Sequence, residues 1–214
     1  MKQFKILILS ICCAAGFLSS ICYGSHVTGN GGIGFECHKD GKDFIWLLDD
    51  YEWSQYFPDQ PIYRGPPTFS VEQMVTNVLD RVRELDLQLY YRYLSVWTIF
   101  KQRSIYVSAT DVPYLLNTRD TGDVVYVKPD FCVQVQIAVQ KGLIFYIDKD
   151  IWNLMERSAQ AGLVLHEIIY YDALRHGYQD SWVARHINSL ISSQRIESME
   201  PREFRKLISA LDLR

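Results

Sequence analysis

The sequence predicts an α+β fold, with a small antiparallel sheet packed on helices around one strongly apolar central helix. β-rich runs and stretches of helical periodicity occupy separate parts of the chain rather than alternating, which is typical of this class. The chain also has the length of one domain with its own core. We therefore expect a single α+β domain after any targeting segment.

The first 24 residues predict a secretory signal peptide. Lys2 and Lys5 precede the apolar run Ile6–Ile21, and Cys22 and Gly24 offer small residues at the −3 and −1 positions of a cleavage site. Two alternatives are a lipoprotein anchored through Cys22 and an uncleaved membrane anchor. Under the main interpretation, residues 25–214 form a single secreted or periplasmic domain.

The charge balance argues against a nucleic-acid partner. Cleavage after residue 24 removes Lys2 and Lys5, so 20 basic residues face 25 acidic ones and the net charge is −5. The sequence has no basic stripe and no second apolar span. A component of the cell envelope is the partner class that fits this location.

Two cysteines, Cys37 and Cys132, remain after the signal peptide is removed. An even number of cysteines in an oxidising compartment predicts that they pair. Closing a loop of that size stabilises by about 4–5 kcal/mol on the chain-entropy model. The alternative is a pair of buried free thiols.

The first half of the mature chain predicts a hairpin and then long helices. Strands over residues 33–38 and 43–48 flank an Asp-Gly turn, and a short helix follows. After a proline-rich connection, Ser70 and Gln73 form a capping-box pattern at the start of a helix. Its apolar periodicity continues to Phe100, and we expect a break near Leu85–Leu87.

The glycine-rich stretch before the hairpin formally matches G-x-G-x-x-G over Gly29–Gly34. No strand precedes it and no helix follows it, so the dinucleotide-binding interpretation fails. Residues 25–34 are instead predicted to be a flexible or turn-forming leader.

The second half predicts more strands and then a series of helices. Asp148 or Asp150 caps a short helix, Ser158 opens the central helix, and Gly177 ends that helix after His176. The remaining elements are strands over 104–108, 124–127, 132–139 and 143–147, a loop over 117–122, and helices over 181–192 and 200–211.

The central helix carries a His-Glu pair at His166 and Glu167. In zinc peptidases with an H-E-x-x-H helix, His binds the metal and Glu is the general base, but the second His is replaced here by Tyr170. Under a catalytic hypothesis His166 is a zinc ligand, Glu167 is the base, and Tyr170 is a ligand or stabilises the oxyanion. Under a structural hypothesis the same three residues form a buried network with Arg185 and Asn188, including a Glu–Arg bond between helices.

The other candidate residues have simpler explanations. His176 lies ten residues after His166, about 15 Å along an unbroken helix, which is too far for one zinc ion. His186 is expected to be a packed or surface residue, and Asp148 and Asp150 are better explained as helix caps. The tyrosine cluster over residues 90–93 is expected to form core and rim.

Both ends of the mature chain resemble uncharacterised secreted proteins of predatory deltaproteobacteria. The matching residues are Gly29-Asn30-Gly31-Gly32, Cys37, Gly41-Lys42, Leu47-Leu48-Asp49-x-Tyr51-Glu52, Cys132, Gln136-x-Ala138-Val139-Gln140, Trp152, Gln160-Ala161-Gly162-Leu163-x-Leu165-His166-Glu167-x-Ile169-Tyr170, Asp180-Ser181, Arg185, Asn188-Ser189 and Ile191-Ser192-Ser193. The resemblance implies an exported protein with a disulfide bond and a zincin-like fold, and Tyr at position 170 as the normal state of this group.

Together these observations favour a secreted or periplasmic, non-catalytic domain that is a degenerate relative of zincin metallopeptidases. The alternative is a metal-dependent hydrolase that uses His166 and Glu167. Zinc is the implied cofactor only in that alternative.

Overall fold

The computed structural model describes residues 28–29, 32–108, 110–111 and 128–212. The predicted signal peptide, the loop over 117–122 and the strand over 124–127 lie outside these residues. The strands are β1 Thr28–Gly29, β2 Ile33–Lys39, β3 Lys42–Leu47, β4 Ser104–Val107, β5 Cys132–Gln136, β6 Ala138–Lys141 and β7 Ile144–Asp148. The helices are α1 Leu48–Tyr56, α2 Val71–Leu85, α3 Leu87–Arg103, α4 Lys149–Leu154, α5 Arg157–Arg175, α6 Trp182–Ser192 and α7 Pro201–Asp212, with a 3₁₀ helix over Gln194–Ser198.

The α+β class is confirmed, and the strands form two small sheets. One sheet has the order β1-β6-β7-β4, in which β4 runs parallel to β7, and the other is antiparallel with the order β3-β2-β5. The run predicted as one strand over 132–139 serves both sheets. Its break is at the buried Ile137, which donates its N–H to the carbonyl oxygen of Gly32 and accepts from the N–H of Asp148.

Local sequence signals place several element ends correctly. Ser70 caps α2 in a complete capping box with Gln73, and Asp86 both ends α2 and caps α3, which is the predicted break. Gly177 follows α5 with φ +91°, a left-handed conformation that glycine adopts without strain. The predicted opening of α5 at Ser158 is slightly late, since the helix begins one residue earlier, at Arg157, and its N-cap residue is Glu156, which makes no side-chain cap.

The predicted disulfide between Cys37 and Cys132 is confirmed. The two residues face each other across β2 and β5, and the bond closes a loop with a sequence separation of 95. It lies in a small apolar cluster, separate from the main core, that consists of Ile33, Phe35, Cys37, Leu48, Tyr51 and Cys132. The bridge therefore supports a part of the sheet with a small core of its own.

Helix α5 is the centre of the main core. It packs against α2, α3 and α6, and on its other side against β3 and β6. Every residue from Ala161 to Tyr170 is buried, so the helix has no solvent-facing side in this segment. Polar side chains within it must therefore find partners inside the protein. Among the described residues, no helix has the length and apolar character needed to cross a membrane.

Candidate functional site

The residues of the His-Glu motif are buried in the middle of α5. The exposed fractions of His166, Glu167 and Tyr170 are 1%, 0% and 0%. Adjacent residues of an α-helix point about 100° apart, so His166 and Glu167 face different neighbours. The two residues of the motif therefore make two separate sets of contacts.

His166 faces α1 and α6. Its Nδ1 lies 2.9 Å from Oδ2 and 3.2 Å from Oδ1 of Asp49, in the first turn of α1. Asn188 of α6 donates from Nδ2 to Oδ2 of the same carboxylate at 2.6 Å and to the carbonyl oxygen of Gly162 at 2.9 Å. The Asp49 carboxylate thus connects α1, α5 and α6.

The electrostatics favour a charged Asp49–His166 pair. Burial raises the pKa of Asp49, but the attraction and hydrogen bond of His166 and the hydrogen bond of Asn188 outweigh burial and lower it. Burial lowers the pKa of His166, but the Asp49 carboxylate outweighs this and raises the pKa above its ordinary value. Each partner thus stabilises the charged form of the other.

Glu167 faces the sheets and the N-terminal segment. Its Oε1 accepts from the backbone N–H of Gly32 at 2.6 Å, and its Oε2 accepts from Nε2 of Gln140 at 2.8 Å. Burial raises the pKa of the Glu167 carboxyl, although His166 and these hydrogen bonds oppose the shift. Glu167 therefore holds the start of β2 and strand β6 against α5.

Gly32 approaches α5 more closely than a residue with a side chain can. A Cβ placed on Gly32 would lie 2.1 Å from Cδ1 of Leu163 and 3.4 Å from Oε1 of Glu167. Residues 25–34 were predicted to be a flexible or turn-forming leader. In the described part, Thr28–Gly29 pairs with β6, and Gly32 packs on α5 and bonds Glu167.

Arg185 and Tyr170 complete the surroundings of the motif. Arg185 was predicted to bond Glu167, but its Nε donates to Oε2 of Glu52 in α1 at 2.9 Å, and its Nη1 donates to Oγ of Ser181. The difference arises because α1 lies against α6 and supplies the acid, whereas Glu167 points to the sheet side of α5. The Tyr170 ring lies 6.0 Å from the His166 ring.

A second polar cluster lies at the start of α5. Arg64 is 1% exposed and binds Asp50 through two hydrogen bonds, from Nη2 to Oδ1 at 2.6 Å and from Nη1 to Oδ2 at 2.9 Å. Its Nε donates to Oγ of Ser192 at 3.1 Å. A Cβ on Gly162 would lie 2.5 Å from Nη2 of Arg64, so glycine at that position admits the guanidinium.

Five members of these clusters were not predicted from the sequence: Gly32, Asp49, Glu52, Arg64 and Gln140. One feature of the sequence could have indicated Asp49 and Glu52: both are acidic residues in a short helix directly after an apolar strand. For Gly32 it was the glycine-rich stretch, which can indicate close backbone approach as well as flexibility.

The other histidines and acids considered from the sequence are engaged locally. Nδ1 of His176 bonds the carbonyl oxygen of Asp172, and Nδ1 of His186 bonds that of Trp182. Asp148 caps α4 through two backbone N–H groups, as predicted for one of the two candidate caps. In the tyrosine cluster, Tyr93 is in the core and Tyr91 is 59% exposed.

The described residues do not fit a zinc centre. A structural or catalytic zinc site uses three or four protein donors. Within the described ranges, no group of three or more His, Cys, Asp or Glu side chains is arranged to hold a metal ion. Nε2 of His166 is the buried imidazole nitrogen that has no hydrogen-bond partner among these residues.

Comparisons with known proteins give no assignment. No family model, no curated protein and no solved structure matches the chain.

Proposed function

We propose that this protein is a secreted or periplasmic, non-catalytic domain, related to zincins only as a degenerate form, in which the His-Glu motif holds the fold together. The observation that carries the proposal is the complete burial of His166 and Glu167 together with their contacts to Asp49, Gly32 and Gln140. A general base must reach the proton that it removes, and Glu167 is bonded on both oxygens to protein amides.

A structural role accounts for each polar contact around α5. The Asp49–His166 and Glu52–Arg185 pairs both join α1 to a buried helix. Removing one partner of a buried ion pair costs about 3–5 kcal/mol, because the other charge is left without compensation. Such pairs favour one arrangement of the helices over other packings of the same apolar surface.

The second candidate is a metal-dependent hydrolase in which His166 is a ligand and Glu167 is the base. One observation favours it: Asp49 holds Nδ1 of His166 while Nε2 lacks a hydrogen-bond partner among the described residues, which resembles the carboxylate–histidine arrangement behind metal ligands. The incomplete donor set around Nε2 argues against it.

Metal content separates the two candidates. The protein is expressed with export to an oxidising compartment in medium with excess zinc, purified without chelator, and analysed for bound metal. We expect well under one zinc per chain. The control is His176→Ala, which removes a half-exposed imidazole able to bind zinc adventitiously.

Stoichiometric zinc that is lost in His166→Ala, kept in His176→Ala and not explained by unfolding would overturn the proposal. Far-ultraviolet circular dichroism of each variant reports the fold. If His166→Ala unfolds, His166→Asn replaces it, because the asparagine amide can still donate to Asp49 and cannot act as an imidazole ligand.

A further inference from the structure

Strand β3 has an open edge in the described structure. The sheet order is β3-β2-β5, so β3 pairs on one side with β2 and is an outer strand. The turn at Asp40 and Gly41, with φ of +53° and +73°, makes Lys39 and Lys42 the closing hydrogen-bonded pair of the hairpin. The direction of every backbone group in β3 follows from that pair.

The outward-pointing groups of β3 are those of alternate residues. Lys42, Phe44 and Trp46 bond to β2, so the N–H and C=O groups of Asp43 and Ile45 point away from the sheet. The opposite side of β2 agrees with this alternation, since the N–H of His38 donates to the carbonyl oxygen of Phe131, the residue before β5. No backbone partner of Asp43 or Ile45 on the open side is found within the described ranges.

A groove of about 440 Å³ runs along this open edge. One wall consists of Phe44, Ile45, Trp46 and Leu47, and the other consists of Glu156, Ser158 and Ala159 at the start of α5. Asp50 of α1 also lines the groove. Ile45 and Leu47 belong to the main core, whereas Phe44 and Trp46 pack on the small cluster. Because residues from both faces of β3 line the groove, it lies beside the strand and not on one face of the sheet.

Charged residues protect the edge only at its turn end, while α4 and α5 pack against the strand further along. Natural sheets cover or charge their outer strands, because open N–H and C=O groups pair with other chains. Lys42 and Asp43 supply charge near the turn, but Phe44–Leu47 has none. The size of the groove is within the range of about 300–1,000 Å³ that ligand sites have. An extended peptide uses such an edge by adding a strand to the sheet.

The charges of the groove favour a basic occupant. Asp50 is neutralised by its two bonds to Arg64. Glu156 is exposed, makes no side-chain cap to α5 and has no ion pair with a described residue. A second copy of the chain is a poorer match, since the full sequence has a net charge of −3.

We propose that the β3 groove, formed by Phe44–Leu47 and the start of α5, binds an extended segment of a partner protein that pairs with β3 and places a Lys or Arg next to Glu156. The apolar side chains of this segment pack against the groove walls. The inference is independent of the role of His166, because none of the groove residues contacts that imidazole in the geometry described above.

A peptide selection with a matched pair of variants tests the proposal. A library of random linear twelve-residue peptides displayed on phage is selected on the purified protein. Asp43→Pro removes the outward N–H at the open edge, whereas Asp43→Ala keeps it, and both variants lose the contact with His38. We expect selected peptides with alternating β-branched or aromatic residues and at least one Lys or Arg.

The selected peptides should bind Asp43→Ala as they bind the unaltered protein, and Asp43→Pro at least tenfold more weakly. Glu156→Gln should weaken the basic peptides severalfold. Hydrogen exchange of the Ile45 amide should slow at least tenfold when a selected peptide binds. This measurement on the unaltered protein replaces the Asp43→Pro comparison if that variant does not fold. Three results would overturn the proposal: no enrichment, equal binding to both Asp43 variants, or a dimer of the protein that Asp43→Pro abolishes.

Discussion

The contact between Gly32 and α5 gives the sharpest test of how the N-terminal segment is held. In Gly32→Ala the new Cβ would lie 2.1 Å from Cδ1 of Leu163. Carbon atoms in contact stand about 3.5–4.0 Å apart, so one of the two groups must move by more than 1 Å. Leu163 is 0% exposed and has no solvent space to enter.

The expected cost of Gly32→Ala follows from the two ways in which the clash can be relieved. Forcing extra volume into a packed core costs about 1–3 kcal/mol. Moving the backbone of Gly32 instead breaks its hydrogen bond to the buried Glu167 carboxylate, at about 1–3 kcal/mol. We expect a loss of about 2–5 kcal/mol in the free energy of unfolding, measured by urea denaturation with circular dichroism.

A double-mutant cycle with Leu163→Ala shows whether the clash is the cause. Leu163→Ala alone should cost about 2–5 kcal/mol, because it leaves a cavity. Gly32→Ala combined with Leu163→Ala should cost less than the sum of the two by about 1–3 kcal/mol, because the new methyl group then has room. Additive costs, or a Gly32→Ala variant within about 0.5 kcal/mol of the parent, would refute the reasoning.

Three more variants or conditions test the network and the bridge. Glu167→Gln should lower the free energy of unfolding, measured by urea denaturation, by about 1–3 kcal/mol. The two oxygens of Glu167 accept from Gly32 and Gln140, whereas glutamine has one oxygen and would turn an NH2 group toward one of these donors; an unchanged midpoint contradicts this. The raised pKa of His166 means that its contribution is complete below about pH 6.5 and is lost as pH rises through the folded-state value. The melting temperature should therefore fall from pH 6 to pH 9 and fall less in His166→Asn, and equal slopes would argue against the Asp49–His166 ion pair. Replacing Cys37 and Cys132 by Ala should cost about 4–5 kcal/mol through loop entropy, and a loss below about 1 kcal/mol would show that the bridge contributes little.

Features that depend on neighbouring residues could be predicted from the sequence. The Asp-Gly turn, the capping box at Ser70, the break at Asp86 and the end of α5 at Gly177 are each set by the chemistry of a few adjacent positions. The hairpin turn and these particular helix ends therefore follow directly from the sequence.

Features that depend on distant residues could not be predicted in the same way. Whether residues 132–139 form one strand or two is decided by Gly32, which accepts hydrogen bonds from Ile137 and Ala138. The partner of Arg185 is decided by the position of α1, which a helix pattern does not reveal. The burial of His166 and Glu167 was part of the favoured structural hypothesis, but their hydrogen-bond partners Asp49, Gly32 and Gln140 lie more than 20 residues away and were not predicted.

The surroundings of Nε2 in His166 decide between the two candidate functions. A metal ligand needs an unprotonated Nε2, whereas an imidazolium carries an N–H on both nitrogens. Asp49 accepts from Nδ1 in either case, so the carboxylate contact is compatible with both. The pKa of His166 is raised by Asp49, and a carboxylate on Nδ1 likewise raises the basicity of a histidine that binds metal through Nε2, so the electrostatics of the pair fit both candidates. The structural role is the better explanation of the motif because Nε2 has no further donors for a metal ion among the described residues, whereas Nδ1 of His166 and both oxygens of Glu167 are bonded to protein groups.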